Sequence, residues 1–213
     1  MAMLDMRIGA HLRTVHDRVQ NDWFGLPSQA RDELYSWQEA FTGMLETLLH
    51  EARDTFSEAL PYDDTDVRRC LSRAIGFFLF DDCEVPSLVS LAGDDGSVIV
   101  DFNPELTPEE DEVVITSLLP LSHALWGDPL LEAMFIDPNE AFLEGYGGSP
   151  VVFARQKTKR LWYTFFLALV VLLQASRAAA PTETGLSDRQ KKIEWAREEL
   201  AGCAEKLKNA PCY

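Results

Sequence analysis

The sequence predicts an α+β domain that is mainly α-helical and contains one small β-hairpin. Apolar residues recur at helical spacing in several long segments, which is the primary sequence signal for amphipathic helices. Two short runs rich in branched apolar residues, 98–102 and 113–119, flank an acidic loop that contains two prolines. Two such runs around a polar loop are typical of a hairpin. At 213 residues the chain is long enough to bury a core of its own.

Three helices are predicted in the first half of the chain. The first covers residues 3–19, with an apolar face that begins at Leu4 and ends at Val19. His11 and His16 lie on different faces of this helix, a poor geometry for a shared metal, and both are interpreted as ordinary polar or boundary positions. Residues 21–36 resemble a linker. The apolar residues of the two following helices are Leu34, Trp37, Phe41, Met44, Leu45, Leu48 and Leu49, then Val67, Leu71, Ala74, Ile75, Phe78 and Leu79.

Polar residues that can cap helices precede these predicted helices. Ser36 stands before the second helix with a glutamate three residues on, as in a capping box. Asp63, Asp64 or Asp66 can cap the third. After the third helix, short strands are predicted around a turn at Asp95-Gly96. The local chemistry of the chain thus indicates where each of these elements starts.

Strand, turn and helix follow one another closely in residues 118–135. The apolar run ends at Pro120, and Trp126-Gly127-Asp128-Pro129 reads as a turn. Asp128 is a predicted N-cap, with Pro129 at the first helical position and Glu132 placed for a capping box. This arrangement suits either the mouth of a site or a structural corner.

The remaining segments are predicted to be helical. Residues 137–148 form a short capped helix that ends in glycines, and residues 153–177 form a buried helix. Residues 178–187 are a predicted linker. Residues 188–209 form a closing helix whose single narrow apolar stripe can dock on the body of the protein or pair with another subunit.

Charge and composition exclude several classes of partner. The chain has 35 acidic against 19 basic residues, a net charge of −16, which disfavours nucleic acids and anionic membranes. The excess of acidic residues suits a cationic ligand, or it only keeps the protein in solution. The four cysteines have no metal-binding spacing and are expected to be reduced thiols in a cytoplasmic protein. The longest apolar run, residues 161–173, is too short to span a bilayer, which needs about 20 residues.

Four phrases of the chain resemble the aminoglycoside-phosphotransferase family, whose members have a kinase-like fold. They are residues 8–16, residues 36–41, Ala124-Leu-Trp-Gly-Asp-Pro-Leu-Leu-Glu132 and Ala141-Phe-Leu-Glu-Gly-Tyr-Gly147. The resemblance covers roughly residues 5–177. It implies that residues 1–177 form a kinase-like C-terminal lobe, without the N-terminal lobe that grips the nucleotide. Residues 188–213 lie outside the resemblance and are predicted to be a C-terminal amphipathic helix from their own apolar stripe.

The positions that carry phosphotransferase chemistry in that family hold other residues here. By position, Ser90 stands for a histidine, Ala92 for the catalytic aspartate, Ser97 for an asparagine that binds metal and Pro120 for the aspartate that holds the magnesium of ATP. Alanine cannot accept a proton, and proline offers no side-chain ligand. The chain also has no glycine-rich phosphate loop. We therefore expect no ATP-dependent phosphate transfer, no cofactor and no metal site.

Two aspartates lie close to these altered positions. Asp94 and Asp95 are out of register with the family pattern and are interpreted as turn residues. Whether either compensates for the missing catalytic aspartate stays open at the level of sequence.

The first functional hypothesis is a small-molecule cleft retained from the lobe. It would serve cofactor-free chemistry, such as that of a cyclase, isomerase or lyase of natural-product biosynthesis. His123 can act as acid or base near neutral pH, and Asp128 or Asp95 can orient it. Each of these side chains also has a structural alternative as a corner, cap or core residue. The residues expected to bind the ligand are Trp37, Phe41, Trp126, Glu132 and Tyr146.

The second hypothesis is a non-catalytic pseudokinase module that binds a partner or dimerises. It rests on the altered catalytic positions, the exposed acidic loop and the closing helix. In that case a homodimer would form through the helix of residues 188–213. A truncated relic is a third alternative, which the well-kept apolar stripes disfavour.

Overall fold

The computed structural model describes residues 2–92, 98–101, 114–118, 123–177 and 183–212. The chain is α+β and mainly helical, which confirms the predicted class, and its described strands form two small antiparallel sheets. The fold divides into two compact units, each built from two separate stretches of chain. Unit 1 contains residues 1–35 and 85–150, and unit 2 contains residues 36–84 and 151–213.

The two sheets lie in unit 1. The hairpin predicted for residues 98–102 and 113–119 is confirmed, because β2 (Val98–Asp101) pairs with β3 (Val114–Leu118). The second sheet was not predicted: β1 (Ser87–Ser90) pairs with β4 (Ala124–Gly127). Trp126 and Gly127 are therefore strand residues, and their interpretation as a turn is wrong. The predicted turn at residues 95–96 lies outside the described residues, and the strands on either side of it belong to different sheets.

Two glycines set the packing of the helices in unit 1. The helix α1 (Ala2–Arg18) packs against the short helix α4 (Glu140–Tyr146). A Cβ atom on Gly145 would overlap the backbone carbonyl of Met6, and one on Gly9 would overlap that of Phe142. The two helix backbones therefore approach more closely than any side chain at these positions would allow.

The segment between β4 and α4 forms two 3₁₀ turns, residues 129–131 and 133–135, where one helix was predicted. The predicted cap is confirmed, since Oδ1 of Asp128 accepts the backbone N–H of Leu130 at 2.9 Å. The predicted capping box is wrong. Glu132 lies at the joint between the two turns, and its side chain bonds to the backbone of Ser90 instead.

Unit 2 consists of four long helices in its described part. They are α2 (Trp37–Phe56), α3 (Asp64–Gly76), α5 (Ala154–Arg177) and α6 (Glu183–Asn209). Ser36 and Asp63 cap α2 and α3, as predicted, by accepting the backbone N–H groups of Glu39 and Asp66. The interpretation of Ile75 and Phe78 as buried is wrong: α3 ends at Gly76 and both side chains are exposed.

The closing helix α6 begins at Glu183, five residues earlier than predicted. Its apolar stripe is buried within unit 2 against α5 and α3, with Leu200 and Leu207 almost inaccessible to solvent. The guanidinium of Arg73 in α3 donates to the carbonyls of Leu207 and Lys208, at 2.7 and 3.1 Å, and so caps the end of α6. The stripe thus docks on its own chain, which is one of the two alternatives that its pattern left open.

Candidate functional site

A buried polar network connects three segments of unit 1. His16 near the end of α1, Glu132 between the two 3₁₀ turns and Tyr146 at the end of α4 are 2%, 1% and 5% exposed. Nδ1 of His16 lies 2.9 Å from the Tyr146 hydroxyl, and Nε2 lies 3.5 Å from Oε2 of Glu132. The same carboxylate oxygen accepts the backbone N–H of Ser90 at 2.9 Å. A phenol, an imidazole and a carboxyl group thus form one chain inside the unit.

Proton positions in this network follow from the chemistry of its ends. An ionised carboxylate only accepts hydrogen bonds, so the tautomer that suits it carries the proton on Nε2 of His16. Nδ1 then accepts the hydroxyl proton of Tyr146. In this arrangement the phenol donates to the imidazole, and the imidazole N–H faces the carboxylate at 3.5 Å without completing a hydrogen bond.

Each member of the network is positioned by its own element. The backbone carbonyl of His16 accepts the hydroxyl of Ser87 at 3.0 Å, which ties the end of α1 to β1. Asp128 caps the turn that carries Glu132. Tyr146 lies one residue from the close contact at Gly145 and packs edge-on against Phe135, with ring centroids 4.9 Å apart. The network therefore depends on the α1–α4 contact and on the β1–β4 sheet together.

Burial changes the acidity of Tyr146. Loss of solvent is the largest cause and raises the pKa of its phenol to about 12, and the charges of Asp17, Glu132 and Asp128 act in the same direction. Arg13 opposes them, since its guanidinium lies 5.6 Å from the centroid of the tyrosine ring. The phenol consequently stays protonated at neutral pH and remains a donor to His16.

The raised pKa predicts a loss of stability in alkali. The phenol of Tyr146 is harder to ionise in the folded protein than in the unfolded chain. Its contribution to the free energy of unfolding is therefore complete below the ordinary tyrosine pKa near 10, and it is lost as the pH rises to about 12. We expect the free energy of unfolding of the wild type to fall more steeply between those pH values than that of Tyr146→Phe. Urea denaturation at stepped pH measures both slopes. Tyr35→Phe, which changes an exposed tyrosine, should follow the wild type; equal slopes for wild type and Tyr146→Phe would contradict the prediction.

The network can hold and share a proton, but it does not meet solvent. All three side chains are buried, so a substrate cannot reach them without movement of α1 or α4. Their geometry therefore favours a structural and electrostatic role. They tie α1 and the 3₁₀ turns to β1 through Ser87 and Ser90.

His123 is the exposed polar residue nearest in sequence to β4. Its backbone carbonyl accepts the N–H of Leu91 at 2.9 Å, which fixes it beside the end of β1. The predicted orienting partner Asp128 lies at the other end of β4, and four extended residues advance roughly 13 Å. Asp128 is moreover buried and engaged as a cap. The structure therefore does not bring His123 and Asp128 together.

The other predicted site residues fall in different places. Trp126 is half-buried on β4, where its backbone pairs with Gly25 and with Leu88. Glu132 and Tyr146 belong to the buried network. Asp95 lies outside the described residues. The roles assigned to all of them remain predictions.

Trp37 and Phe41 are core residues of unit 2. Both are almost completely buried, and the indole N–H of Trp37 donates to the hydroxyl of Tyr163 at 2.7 Å. Phe41 packs against Phe80 and Phe166, with ring centroids 4.7 and 5.5 Å apart. They pack in an aromatic cluster, so a ligand would reach them only if that cluster opened.

The end of β1 forms a closed local turn. The hydroxyl of Ser90 donates to the carbonyl of Ala92 at 2.7 Å and accepts the N–H of Ala92 at 3.2 Å. These are the positions at which the resemblance implies a histidine and the catalytic aspartate. The side-chain polar atom that Ser90 offers is therefore engaged by its own backbone, and Ala92 contributes none.

Within the described ranges, no group of three or more histidine, cysteine or carboxylate residues is arranged to hold a metal ion. No described helix is long and apolar enough to cross a membrane. The sequence matches no protein-family model, and no curated protein matches it. The resemblance to phosphotransferases therefore stays a prediction.

Sequence reasoning missed His16 as a member of the network. The buried face of α1 contains Gly9, Leu12 and His16, whose spacings of three and four residues define one side of a helix. A histidine four residues after a core leucine was the available signal. Its partners could not be inferred, because Tyr146 lies 130 residues further along the chain.

Proposed function

We propose that this chain is a phosphotransferase-like protein that has lost phosphate transfer and binds a small molecule, without a cofactor. The observation that carries the proposal is the closed turn at Ser90 and Ala92. The resemblance would place a histidine and the catalytic aspartate there, yet Ala92 has no polar side chain and the hydroxyl of Ser90 is engaged by its own backbone. Phosphate transfer to a hydroxyl needs a side chain that accepts or orients the hydroxyl proton, and the catalytic aspartate supplies it in that family.

The neighbourhood of this turn supports binding. Exposed His123 is fixed to Leu91, which lies between Ser90 and Ala92. A neutral imidazole offers both a donor and an acceptor, so it can recognise a polar ligand. The net charge of −16 disfavours phosphorylated ligands and favours neutral or cationic ones.

Binding is supported ahead of catalysis. A cofactor-free cyclase, isomerase or lyase needs a base that is oriented by a second group. The strand β4 separates His123 from Asp128, and the latter already caps a 3₁₀ turn. Of the predicted catalytic residues that the structure describes, His123 alone is both exposed and placed at the altered turn.

Thermal unfolding with two sets of ligands tests the proposal. We expect no shift of the unfolding midpoint with Mg-ATP and an upward shift with at least one neutral or cationic metabolite of a panel. A ligand at about 100 times its Kd stabilises the fold by about 2.7 kcal/mol, which corresponds to several degrees in a chain of this size.

Two histidine variants test whether the ligand binds at His123. His123→Ala should remove most of the ligand-induced shift, whereas His50→Ala, at an exposed histidine of α2, should keep it. A shift produced by Mg-ATP would overturn the proposal and restore phosphate transfer. A shift that survives His123→Ala would place the ligand elsewhere.

A further inference from the structure

Two of the four cysteines lie at the same contact in unit 2. Cys70 is on α3 and Cys212 follows α6, and their side chains belong to residues that are 6% and 5% exposed. Both are free thiols in the structure. They are far apart in the sequence, so only the packing of α3 against the end of α6 brings them to one place.

Three residues of α3 face the end of α6. Asp66, Cys70 and Arg73 are separated by four and three residues, so they share one face of the helix. Oδ2 of Asp66 lies 3.7 Å from Nζ of Lys208, and the guanidinium of Arg73 donates to the backbone carbonyl of the same lysine at 3.1 Å. Cys70 lies between these two contacts along α3, and therefore faces the residues that end α6.

Cys212 is held beside the same contact. Arg73 also donates to the carbonyl of Ala210 at 3.4 Å, and Sγ of Cys212 lies 3.8 Å from that carbonyl oxygen. On the other side, the hydroxyl of Thr158 in α5 donates to the carbonyl of Pro211 at 2.6 Å. The segment of residues 210–212 is thus fixed between α3 and α5, with its cysteine directed inward.

The two thiols are close enough to interact electrostatically. Burial is the largest cause that raises the pKa of the Cys70 thiol, and charge on Cys212 acts in the same direction, while Arg73 opposes both. Cys203 has other neighbours: burial raises the pKa of its thiol to about 11, and the charged groups that act on it lie on α6 and α5. Because such effects fall with distance, they pair Cys70 with Cys212 and set Cys203 apart.

We propose that Cys70 and Cys212 are a redox pair that closes into a disulfide when the protein meets a low-molecular-weight disulfide such as oxidised glutathione. The bond ties residues 210–212 to α3, and reduced glutathione reverses it. These three residues lie outside α6, so their backbone can adjust until the two Cα atoms are roughly 4–7 Å apart, as a disulfide requires.

The reaction is a thiol–disulfide exchange in two steps. Local opening of residues 210–212 exposes Cys212, whose thiolate attacks one sulfur of glutathione disulfide. That S–S bond breaks, a mixed disulfide forms and one glutathione leaves. After the segment closes again, the thiolate of Cys70 attacks the sulfur of Cys212 and displaces the second glutathione. Two protein thiols thereby lose two electrons, and their two protons end on the two glutathione thiols.

Glutathione buffers of increasing oxidised fraction test the pair, with alkylation of the remaining thiols and mass spectrometry as the readout. We expect the wild type to lose two of its four thiols together and about 2 Da in mass, and to yield a cross-linked peptide that contains Cys70 and Cys212. Cys70→Ser and Cys212→Ser should each abolish the link. Cys83→Ser, at a half-buried cysteine of the same unit, should keep it.

Thermal unfolding gives a second readout. The link closes a loop of roughly 140 residues, so the oxidised wild type should unfold several degrees above the reduced protein. Cys212→Ala, which adds no polar group to the buried position, should show no such difference, and its midpoint in reductant reports whether it is folded.

Three results would overturn the pair. The first is a wild type that keeps all four thiols in fully oxidised glutathione. The second is glutathione attached to Cys212 without any link to Cys70. The third is a disulfide that joins two chains or involves Cys83 or Cys203 instead.

Discussion

Replacing Gly145 by alanine should destabilise unit 1 by about 3 kcal/mol or more. The added methyl group would overlap the backbone carbonyl of Met6, and neither helix backbone can yield as a flexible side chain would. Overpacking ordinarily costs about 1–3 kcal/mol, and a clash with backbone belongs at the upper end of that range. Because α1 and α4 would separate, the bond between His16 and Tyr146 should be lost as well.

Urea denaturation and amide hydrogen exchange measure this effect. The denaturation midpoint should fall, and exchange should accelerate first in the peptides of α1 and α4. Gly43→Ala is the matched control. Gly43 lies inside α2 with open space around its Cβ position, so alanine there should stabilise the helix by about 0.5–1 kcal/mol. A Gly145→Ala variant as stable as the wild type would show that the two helices do not approach as described.

Glu132→Ala should cost about 2–4 kcal/mol, because it leaves a buried hydrogen-bond donor without its acceptor and opens a cavity. The substitution takes away the acceptor of the Ser90 N–H and leaves buried His16 facing a cavity. Glu132→Gln keeps the volume and an acceptor oxygen, so it should cost distinctly less. The free energy of unfolding in urea at neutral pH gives both values.

Glu144→Ala provides the control for this series. Glu144 is exposed on α4 in the same unit, and its replacement should change stability by no more than about 0.5 kcal/mol. If Glu132→Ala were as mild as Glu144→Ala, the network would not contribute to the fold.

Local chemistry allowed much of this fold to be predicted. Ser36 and Asp128 predicted the starts of the elements that they cap. Each cap residue and the N–H group that it accepts lie within three residues of each other, so the signal is local in the sequence. The hairpin of β2 and β3 and the long buried helix α5 were also predicted, because the pattern of apolar residues that encodes each of them is local in the sequence.

The pairing of β1 with β4 and the positive φ of Phe78 were not predicted from the sequence. The sheet of β1 and β4 joins Ser87 to Gly127, and no local signal specifies that partnership. The end of α3 was placed too late because Phe78 occupies a left-handed position where glycine is expected, so its ring continued the apolar pattern of the helix. For the candidate site, Glu132 and Tyr146 were selected from the sequence, but the histidine that connects them was not.

The alternation of the two units along the chain sets the order in which they can be completed during synthesis. Unit 1 lacks α4 until residue 146 has been made, and unit 2 lacks α5 and α6 until the last sixty residues follow. At roughly 5–20 residues per second, α2 and α3 wait several seconds for the helices that cover them. During that interval the face of α2 that contains Trp37 and Phe41 has no α5 to bury it. A ribosome-bound chain in which residues 1–150 have left the exit tunnel should therefore hold a completed unit 1 and an aromatic face of α2 that α5 does not yet cover, which is the kind of surface that a chaperone binds.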